Sequence, residues 1–379
     1  MNKRIIFNVI FVILIFILLN LYIGFNGWIY LDNLFNKTSI TVKLTYWIIF
    51  WFFTFSYILS RLLKKKMPRP IFRLLHKIGA YWIAVFYYLL LILVAVDIIG
   101  WGVATLSSLH IHTIILWLGT FVLISLMFLI VKGRKNALNT KVVHYDLQIQ
   151  KKNDAYKELS IVLISDLHLS TLVTNKRLKY LVEKINTLSP HLVLIAGDII
   201  DEDITPFVEE NMVETLKKLT PKIGTFAVPG NHDYYGGHLE ILDKHLKDAG
   251  ITFLLDDYRL INDSFYILGR KDLASKKRLE LHELMEGLNQ TKPIILLDHQ
   301  PKDLELPTKL GVDLQVSGHT HRGQFMPNHL ITRKIFELDW GHLQKGVSHF
   351  IVSSGFGTWG PPIRNGNPSE MVSIHITFE

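Results

Sequence analysis

The hydrophobic pattern divides the chain into two parts, and the first part consists of long apolar runs. Residues 5–25 contain no charged side chain, and about 20 apolar residues are enough for a helix to cross the hydrocarbon core of a bilayer. No small-residue cleavage site follows this run and more apolar segments do, so we interpret it as a retained helix and not as a signal peptide. Further runs at about 44–60, 79–104 and 110–131 predict three more spans. Residues 1–131 are therefore predicted to form four transmembrane helices.

The second part, 159–379, alternates short apolar runs with amphipathic stretches. Five runs end in Gly, Asp or His, as buried strands do where they lead into polar loops: 160–166, 192–198, 224–230, 293–299 and 313–319. Three segments between them have helical spacing: 176–187, 207–219 and 238–249. This order predicts an α/β sheet. The last two apolar segments, 349–355 and 371–378, have no helix between them, which indicates a mixed sheet or a second sheet. The polar segment 132–158 is predicted to be a linker, in which 142–150 can form an edge strand.

The net charge of the chain changes sign near residue 145. Of 379 residues, 49% are hydrophobic, which is too apolar on average for one soluble enzyme. Up to residue 145 the chain has 15 Lys and Arg against two acids, a net charge of +13. The remainder has 26 Lys and Arg against 31 Asp and Glu, a net charge of −5. A basic membrane region followed by a mildly acidic domain explains this distribution, and no nucleic-acid partner is expected.

The absence of cysteine from the sequence limits the chemistry. With no Cys, disulfides, zinc–thiolate sites and a cysteine nucleophile are excluded. Any metal must be held by carboxylate, imidazole or amide groups.

Orientation follows from the positive charges in the short loops, because such loops resist translocation. The segment before the first span has two Lys or Arg, the loop 61–78 has seven, and four follow the fourth span by residue 141. The two opposite loops hold only Lys37 and Lys43. Four crossings then place both termini in the cytoplasm, so we expect a multi-pass protein of the cell membrane with its second domain inside.

Asp97 is the one acidic residue inside the predicted spans. An intramembrane carboxylate is a candidate for a pore or a proton path because burying its charge is costly. No basic partner lies inside any span, so we favour a structural role. His110 and His112, in a short outer loop, are interpreted as interfacial residues and not as metal ligands.

Polar side chains gather at the ends of the predicted strands. They are Asp166 and His168, Asp198 and Asp201, Asn231, His232 and Asp233, His299, and His319 and His321. In open α/β sheets, reactive groups collect at the carboxyl ends of strands. Two divalent cations sharing a carboxylate can clamp the attacking and leaving oxygens of a phosphoryl transfer. If D-x-H and H-x-H are extended, each projects two ligands to one side, and Gly197, Gly230 and Gly318 let the chain turn sharply beside them.

The five blocks DLH (166–168), GDIID (197–201), GNHD (230–233), DH (298–299) and GHTH (318–321) resemble the signature of calcineurin-like metallophosphoesterases. The resemblance implies a two-sheet sandwich flanked by helices, with two metal ions at the strand ends. It implies that Asp166, His168, Asp198 and His321 hold one metal, and that Asp198, Asn231, His299 and His319 hold the other. It also implies that His232 is the proton donor to the leaving oxygen and that Asp201 orients it. Manganese is our first expectation for the metal, with iron, zinc and magnesium as alternatives.

The expected reaction is in-line attack on phosphorus by a hydroxide that bridges the ions, whose charges lower its pKa. Arg322, Arg364 and the loop 355–362 are candidates to bind the other phosphate oxygens, because a guanidinium matches them bidentately. Solvated surface arginines are the alternative. Related membrane-associated members often read GHTHGGQ where this chain has GHTHRGQ. Arg322 therefore departs from their pattern at the predicted mouth of the substrate pocket.

Three classes of function fit these features. The first is a membrane-anchored phosphoesterase similar to bacterial enzymes that include hydrolases of UDP-diacylglucosamine, acting at the cytoplasmic leaflet on a phosphorylated lipid or nucleotide. Tethering to the lipid bilayer raises the effective concentration near such substrates. The second is a membrane sensor that uses the phosphoesterase fold as a binding output, and the third is a transporter with a fused enzyme. The sequence leaves protein partners and oligomeric state open.

Overall fold

The structure is a computed structural model that describes residues 3–379, and the chain forms two compact units whose boundary lies between Lys132 and Gly133. The first unit contains apolar helices, each long and apolar enough by length and composition to cross a membrane. These helices are α1 Lys3–Leu34, α2 Ile40–Leu63, α3 Arg69–Leu106 and α4 Ile111–Leu138. All four predicted spans lie within them, and α4 continues six residues into the second unit.

Aromatic rings fill the interior of the first unit. Phe50 is buried and meets Trp82 edge-on, with 5.3 Å between ring centroids. At Gly79 the backbones of α2 and α3 approach so closely that a Cβ would lie 2.3 Å from the backbone nitrogen of Tyr57, as small residues permit in membrane helix pairs. Asp97 accepts a hydrogen bond from the hydroxyl of Tyr22 at 2.5 Å. A neutral partner of this kind fits the structural role that we favour for this carboxylate.

The second unit is built on two six-stranded sheets. The first has the strand order β1-β12-β2-β3-β4-β5 and the second has the order β10-β11-β9-β8-β7-β6. The strands are β1 Lys141–Ile149, β2 Glu158–Ile164, β3 Leu192–Ala196, β4 Gly224–Val228, β5 Ile251–Phe253, β6 Asp257–Ile261, β7 Phe265–Gly269, β8 Ile294–Leu297, β9 Leu314–Ser317, β10 Gly341–Lys345, β11 Ser348–Val352 and β12 Glu370–Phe378. Both sheets are mixed. In the first, β2 and β3 are parallel whereas β12 and β2 are antiparallel, and in the second, β11 and β9 are parallel whereas β10 and β11 are antiparallel.

Helices connect the strands of the second unit. They are α5 Asn175–Thr187, α6 Thr205–Glu209, α7 Met212–Leu216, α8 Asn231–Tyr235, α9 Leu239–Asp248, α10 Leu281–Leu284, α11 Glu305–Lys309 and α12 His329–Ile335. Residues of α5, α6, α7, α9, α10 and α11 pack on the sheets in two hydrophobic clusters. A hydrophobic core joins the sheets, with Leu194 and Ile374 from the first and Ile295 and Val316 from the second. A separate cluster packs residues of α5 and α9 on the first sheet. Because both faces of the central strands are buried, those strands read as continuous apolar runs.

Two segments differ from their sequence-based descriptions. The segment 132–158, which we describe above as a linker, belongs largely to the second unit, because β1 pairs in parallel with β12 from Lys141↔Glu370 to Ile149↔Phe378. β1 is an edge strand of the first sheet, as predicted for 142–150. The predicted helix 207–219 is divided into α6 and α7, since Asn211 between them has a φ of 51°, which a continuous right-handed helix cannot contain.

Candidate metal centre

The candidate ligands lie directly beyond the carboxyl ends of five strands drawn from both sheets. Asp166 and His168 follow β2, Asp198 follows β3, and Asn231 follows β4. In the second sheet, His299 follows β8, and His319 and His321 follow β9. The site therefore lies at one end of the sandwich, where the two sheets present their loops to each other.

Most of these residues have a backbone conformation that the sequence did not predict. The φ angles of Asp166, His168 and Asp198 are 52°, 45° and 51°, and those of His319 and His321 are 71° and 46°. Such left-handed conformations are uncommon for residues other than glycine and concentrate at functional sites. Our expectation of an extended D-x-H and H-x-H is therefore wrong. Left-handed turns, not the alternation of a strand, bring these side chains together.

The first group of candidate ligands consists of Asp166, His168 and His321, whose ligand atoms lie within 4.8 Å of one another. Nε2 of His168 lies 3.0 Å from Nε2 of His321, and the latter atom lies 3.4 Å from Oδ1 of Asp166. Asp166 and His168 are fully buried. Two imidazole nitrogens that face each other beside a carboxylate form a donor set that a divalent cation can occupy.

The second group consists of Asp198, His299 and His319, again within 4.8 Å. Nε2 of His299 lies 3.2 Å from Oδ2 of Asp198. The other ring nitrogen of His299 donates to the carbonyl of Ala196 at 2.7 Å, so Nε2 is the atom that would bind a metal ion once it releases its proton. Oδ1 of Asn231 lies 2.9 Å from Nδ1 of His319, so the amide of Asn231 joins this group.

Asp198 lies between the two groups. Its Oδ2 is 3.7 Å from Nε2 of His168 in the first group and 3.2 Å from His299 in the second. The structure thus brings together all seven residues predicted as ligands, and the bridging role of Asp198 stays a prediction.

Two glycines beside the ligands have no room for a side chain. A Cβ at Gly230 would lie 2.1 Å from Oδ1 of Asp198, and one at Gly318 would lie 2.4 Å from Oδ2 of Asp166. Glycine at these positions lets the loops close around the two carboxylates.

Burial and mutual charge shift the ionisation of the cluster. Burial raises the pKa of Asp166. Burial also opposes ionisation of Asp198, but the charges of His299 and His168 more than offset it and hold the pKa of Asp198 well below its ordinary value. Burial and the charge of His299 lower the pKa of His319 to about 3. The carboxylates and imidazoles thus compete for few protons in a buried space, and cations could take the place of those protons.

Unpaired polar atoms indicate that the cluster is suited to metal. Nε2 of His299 and Nδ1 of His321 are buried and have no hydrogen-bond partner among residues 3–379. Buried polar atoms are rarely left unpaired in folded proteins. Nitrogen and oxygen donors of this kind suit manganese, iron, zinc or magnesium, so the residues fit the expected ions.

His232 and Asp201 flank the first group. Oδ1 of Asp201 lies 3.3 Å from Nδ1 of His232 and 3.4 Å from Nδ1 of His168. Despite burial, its partners His168 and His232 lower the pKa of Asp201, and it is therefore an anion at neutral pH. A ligand atom of His232 also lies within 4.8 Å of atoms from His168 and Asp198. The geometry therefore admits His232 as a metal ligand too, and its role as proton donor stays a prediction.

Asp233, to which we assigned no role from sequence, orders the site. Its buried carboxylate accepts hydrogen bonds from the backbone N–H groups of Ile199, Ile200 and Gly230 at 3.2, 2.9 and 2.8 Å. It thus joins the loops after β3 and β4. Burial and the charge of Asp198 raise the pKa of Asp233 to about 7. Its position as the last residue of the GNHD block was the sequence signal that could have identified this role.

The two predicted substrate arginines lie in different surroundings. Arg364 is fully buried, and its guanidinium donates to the carbonyls of Ser354, Gly355 and Gly357. It therefore supports the loop beside Asp166 and cannot reach a substrate at the pocket mouth, so that prediction is corrected. Arg322 is half-buried and lies 4.2 Å above the ring of Trp340. Its contact with substrate stays a prediction.

Two mixed sheets with buried Asp, Asn and His side chains at their joined strand ends define the class as a metal-dependent hydrolase domain. Residues 159–323 match the family model of calcineurin-like phosphoesterases. A metallophosphoesterase of Aquifex aeolicus is 33% identical over 245 residues, which cover 62% of this chain and 91% of that protein. The chain belongs to the calcineurin-like metallophosphoesterase family, as its motifs predicted. The predicted fold class, with four apolar helices before two sheets, is also confirmed.

Other relatives extend beyond the aligned region. A Helicobacter pylori metallophosphoesterase is 34% identical over 226 residues, which cover 58% of this chain and 60% of the relative. A Danio rerio protein named as a transmembrane protein with metallophosphoesterase domain is 29% identical over 263 residues, covering 65% of this chain and 60% of the relative. The chain thus matches about 60% of the length of these two relatives. Together with the four apolar helices, the second relative indicates a membrane protein.

Proposed function

We propose that this protein is a membrane-anchored phosphoesterase that uses two divalent metal ions, manganese first, to hydrolyse a phosphate ester or a pyrophosphate bond. The observation that carries the proposal is the pair of ligand groups that meet at Asp198, 3.7 Å from His168 on one side and 3.2 Å from His299 on the other. A shared carboxylate between two N/O donor sets is the arrangement that two-metal phosphoryl transfer requires.

The residues around the cluster divide the remaining tasks. Bound cations would neutralise the phosphoryl oxygens and lower the pKa of a coordinated water. His232 would protonate the leaving oxygen, with the anionic Asp201 holding its Nδ1 so that Nε2 faces the substrate. Asp233 would keep the loops after β3 and β4 in place through its three backbone hydrogen bonds.

Exposed aromatic rings beside the site support a substrate with an apolar or ring-containing portion. Tyr235 and Trp359 are 61% and 56% exposed, and their ring centroids lie 5.3 and 6.4 Å from that of His232. Phe336 stands edge-on to His319 at 5.9 Å. Rings in these positions would pack against a lipid stem or a nucleoside. We therefore propose a phosphorylated lipid or nucleotide as substrate, met at the cytoplasmic leaflet.

The test uses the full chain purified without chelators and assayed with Mn²⁺ on monoesters, diesters and pyrophosphates. Each substrate is offered in solution and on vesicles. We expect hydrolysis that is lost in Asp198→Ala and kept in Asp146→Ala, because the side chain of Asp146 is 90% exposed and far along the edge strand β1. Metal binding without turnover of any substrate class would overturn the proposal that the protein is an enzyme and would favour a membrane sensor. Equal turnover of soluble and vesicle-presented substrates would overturn the lipid-surface part of the proposal.

A further inference from the structure

A cavity of about 420 Å³, separate from the metal centre, lies in the second unit. It is formed by the last turns of α4, the start of α5 and the loop that follows β11. Its lining is Arg134, Ala137, Leu138, Leu172, Val173, Thr174, Lys176, Arg177, Tyr180, Phe356, Gly357, Thr358 and Pro362. We call this cavity the basic pocket, because three of its lining side chains are cationic and none is acidic.

The positive charge of the basic pocket is not balanced by a carboxylate. The guanidinium of Arg177 donates to the carbonyl of Ala137 at 2.9 Å and to the hydroxyl of Thr140 at 2.8 Å. It also lies 4.4 Å above the ring of Phe356. These partners are all neutral. Burial, together with the nearby charge of Arg134, lowers the pKa of Arg177 to about 10, as expected where cations repel one another.

Arg134 is the available cation of the pocket. Its guanidinium forms no hydrogen bond or ion pair with any residue in the described range 3–379. A half-buried guanidinium offers several N–H donors in a planar fork that matches phosphate oxygens. Lys176 also lines the pocket, so Arg134 and Lys176 are two cations there that no carboxylate of the described residues neutralises.

Apolar side chains also line the pocket, and they are Leu138, Leu172, Val173, Phe356 and Pro362. Leu138 is exposed and Leu172 is half-buried, whereas the other three are buried. A water-soluble anion would gain nothing from these surfaces, whereas a ligand with a hydrocarbon stem next to its phosphate would bury the stem there.

Along the sequence, the α4 residues of the basic pocket follow directly after an apolar run. Arg134, Ala137 and Leu138 belong to α4, which is long and apolar enough to cross a membrane. At a rise of about 1.5 Å per residue, Arg134 lies roughly 9 Å along the helix axis from Phe128 in the apolar run. Basic residues directly after a span meet the headgroups of anionic lipids.

We propose that the basic pocket binds an anionic membrane lipid, with the headgroup phosphate on Arg134 and Lys176 and the lipid stem against Leu138 and Leu172. This goes beyond the proposed hydrolysis, because binding at this place requires no turnover. The loop that lines the pocket also supports the metal centre. The N–H groups of Phe356 and Gly357 donate to the carbonyls of Ser165 and Asp166 at 3.0 and 2.8 Å.

The experiment uses the full chain in phosphatidylcholine nanodiscs that contain a small fraction of phosphatidylglycerol with a photoreactive acyl chain. We expect the label in peptides that contain 134–138, 172–180 and 356–362. Arg134→Gln should reduce this labelling about fivefold, the effect of one basic residue near an anionic surface. Lys135→Gln is the matched control, since Lys135 is the next residue, is exposed and does not line the pocket. Neither side chain holds other residues in place, so both variants should keep the thermal midpoint of the parent.

Three results would overturn the proposal. The first is equal labelling of the two variants, which would mean general surface attraction. The second is equal labelling by a phosphatidylcholine probe with the same photoreactive chain, which would remove the role of charge. The third is loss of the label in excess inorganic phosphate at constant ionic strength, which would assign the pocket to soluble phosphate. All three readouts are independent of hydrolysis, so an inactive metal centre would leave them interpretable.

Discussion

The carboxylate of Asp201 lies 3.3 Å from Nδ1 of His232, and the same oxygen lies 3.4 Å from Nδ1 of His168. One acid thus supports two imidazoles that have different proposed tasks, proton donation for His232 and metal binding for His168. A carboxylate that accepts a hydrogen bond from the far nitrogen of either ring would fix its tautomer and increase the basicity of the nitrogen that acts. The consequences of removing either partner can therefore be distinguished.

His232→Ala should reduce turnover in proportion to how much the leaving group needs a proton. For an alkyl phosphate we expect a loss of about 10²- to 10⁴-fold, the usual contribution of a general acid. For an aryl phosphate with an acidic leaving group the loss should be much smaller, and metal content should stay unchanged. His282→Ala, on the exposed surface of α10, is the control. An equal loss on both substrates, accompanied by loss of metal, would show that His232 is a ligand.

Asp201→Asn should affect both turnover and metal binding, because its oxygen faces both imidazoles. We expect metal affinity to fall about 10- to 100-fold, as when other supporting carboxylates of metal-bound histidines are removed. Turnover at saturating metal should also fall, and combining Asp201→Asn with His232→Ala should cost less than the two single losses added together. Metal titration of each variant by calorimetry, with kcat at saturation, separates the two effects. Full additivity would contradict a shared role.

Removal of metal should destabilise the full chain. The buried ligands would be left with partly unpaired charges, and a ligand present at about 100 times its Kd stabilises a fold by about 2.7 kcal/mol. We expect the thermal midpoint in detergent to fall after chelation and to return when Mn²⁺ is added. Asp198→Ala should lose this response, whereas Asp146→Ala should keep it. If chelation does not change the thermal midpoint of the parent protein, the result would contradict a metal centre at this place.

Much of the site could be predicted from the sequence because its ligands occur in short blocks at the ends of apolar runs. Asp198 after β3 and His299 after β8 are examples, since a buried strand that stops at a polar residue is visible without a structure. The local geometry was not predictable in the same way. The left-handed φ of His168 and His321 is imposed by the surrounding loops, because the intrinsic preference of histidine is for other regions.

Residues that act through buried backbone contacts were also beyond sequence reasoning. Arg364 looked like a phosphate ligand because a guanidinium near a glycine-rich loop matches that chemistry, but its burial depends on contacts with a loop up to ten residues earlier. Short strands such as β5 and β10 were missed, since three to five residues carry too little periodicity to separate a strand from a loop. Only tertiary pairing defines them.

Arg364→Met should lower stability and not substrate affinity. Its guanidinium donates at 2.7 Å to the carbonyl of Gly357 and at 3.2 Å to that of Gly355, and hydrogen bonds to a buried charged group contribute about 1.5–3 kcal/mol each. We expect a loss of about 3 kcal/mol or more in the free energy of unfolding. Arg322→Met serves as the comparison, because Arg322 is half-buried and has one side-chain hydrogen bond among the described residues, to Oδ1 of Asn367, besides its contact with the ring of Trp340, so it should matter less to folding. A stable Arg364→Met with a raised KM would restore Arg364 as a substrate ligand.

Membrane orientation can be measured directly because the sequence contains no cysteine. Single cysteines introduced as Lys65→Cys, Ser108→Cys and Lys276→Cys report on an inner loop, an outer loop and the second domain, and all three positions are exposed. The Lys and Arg of residues 61–78, at the end of α2 and the start of α3, should hold this segment in the cytoplasm. An impermeant maleimide added to intact cells should therefore label Ser108→Cys alone, and the other two only after permeabilisation. An even number of crossings keeps 61–78 and the second domain on the same side of the membrane. The reverse labelling pattern would therefore place the metal centre outside the cell and would exclude substrates confined to the cytoplasmic leaflet.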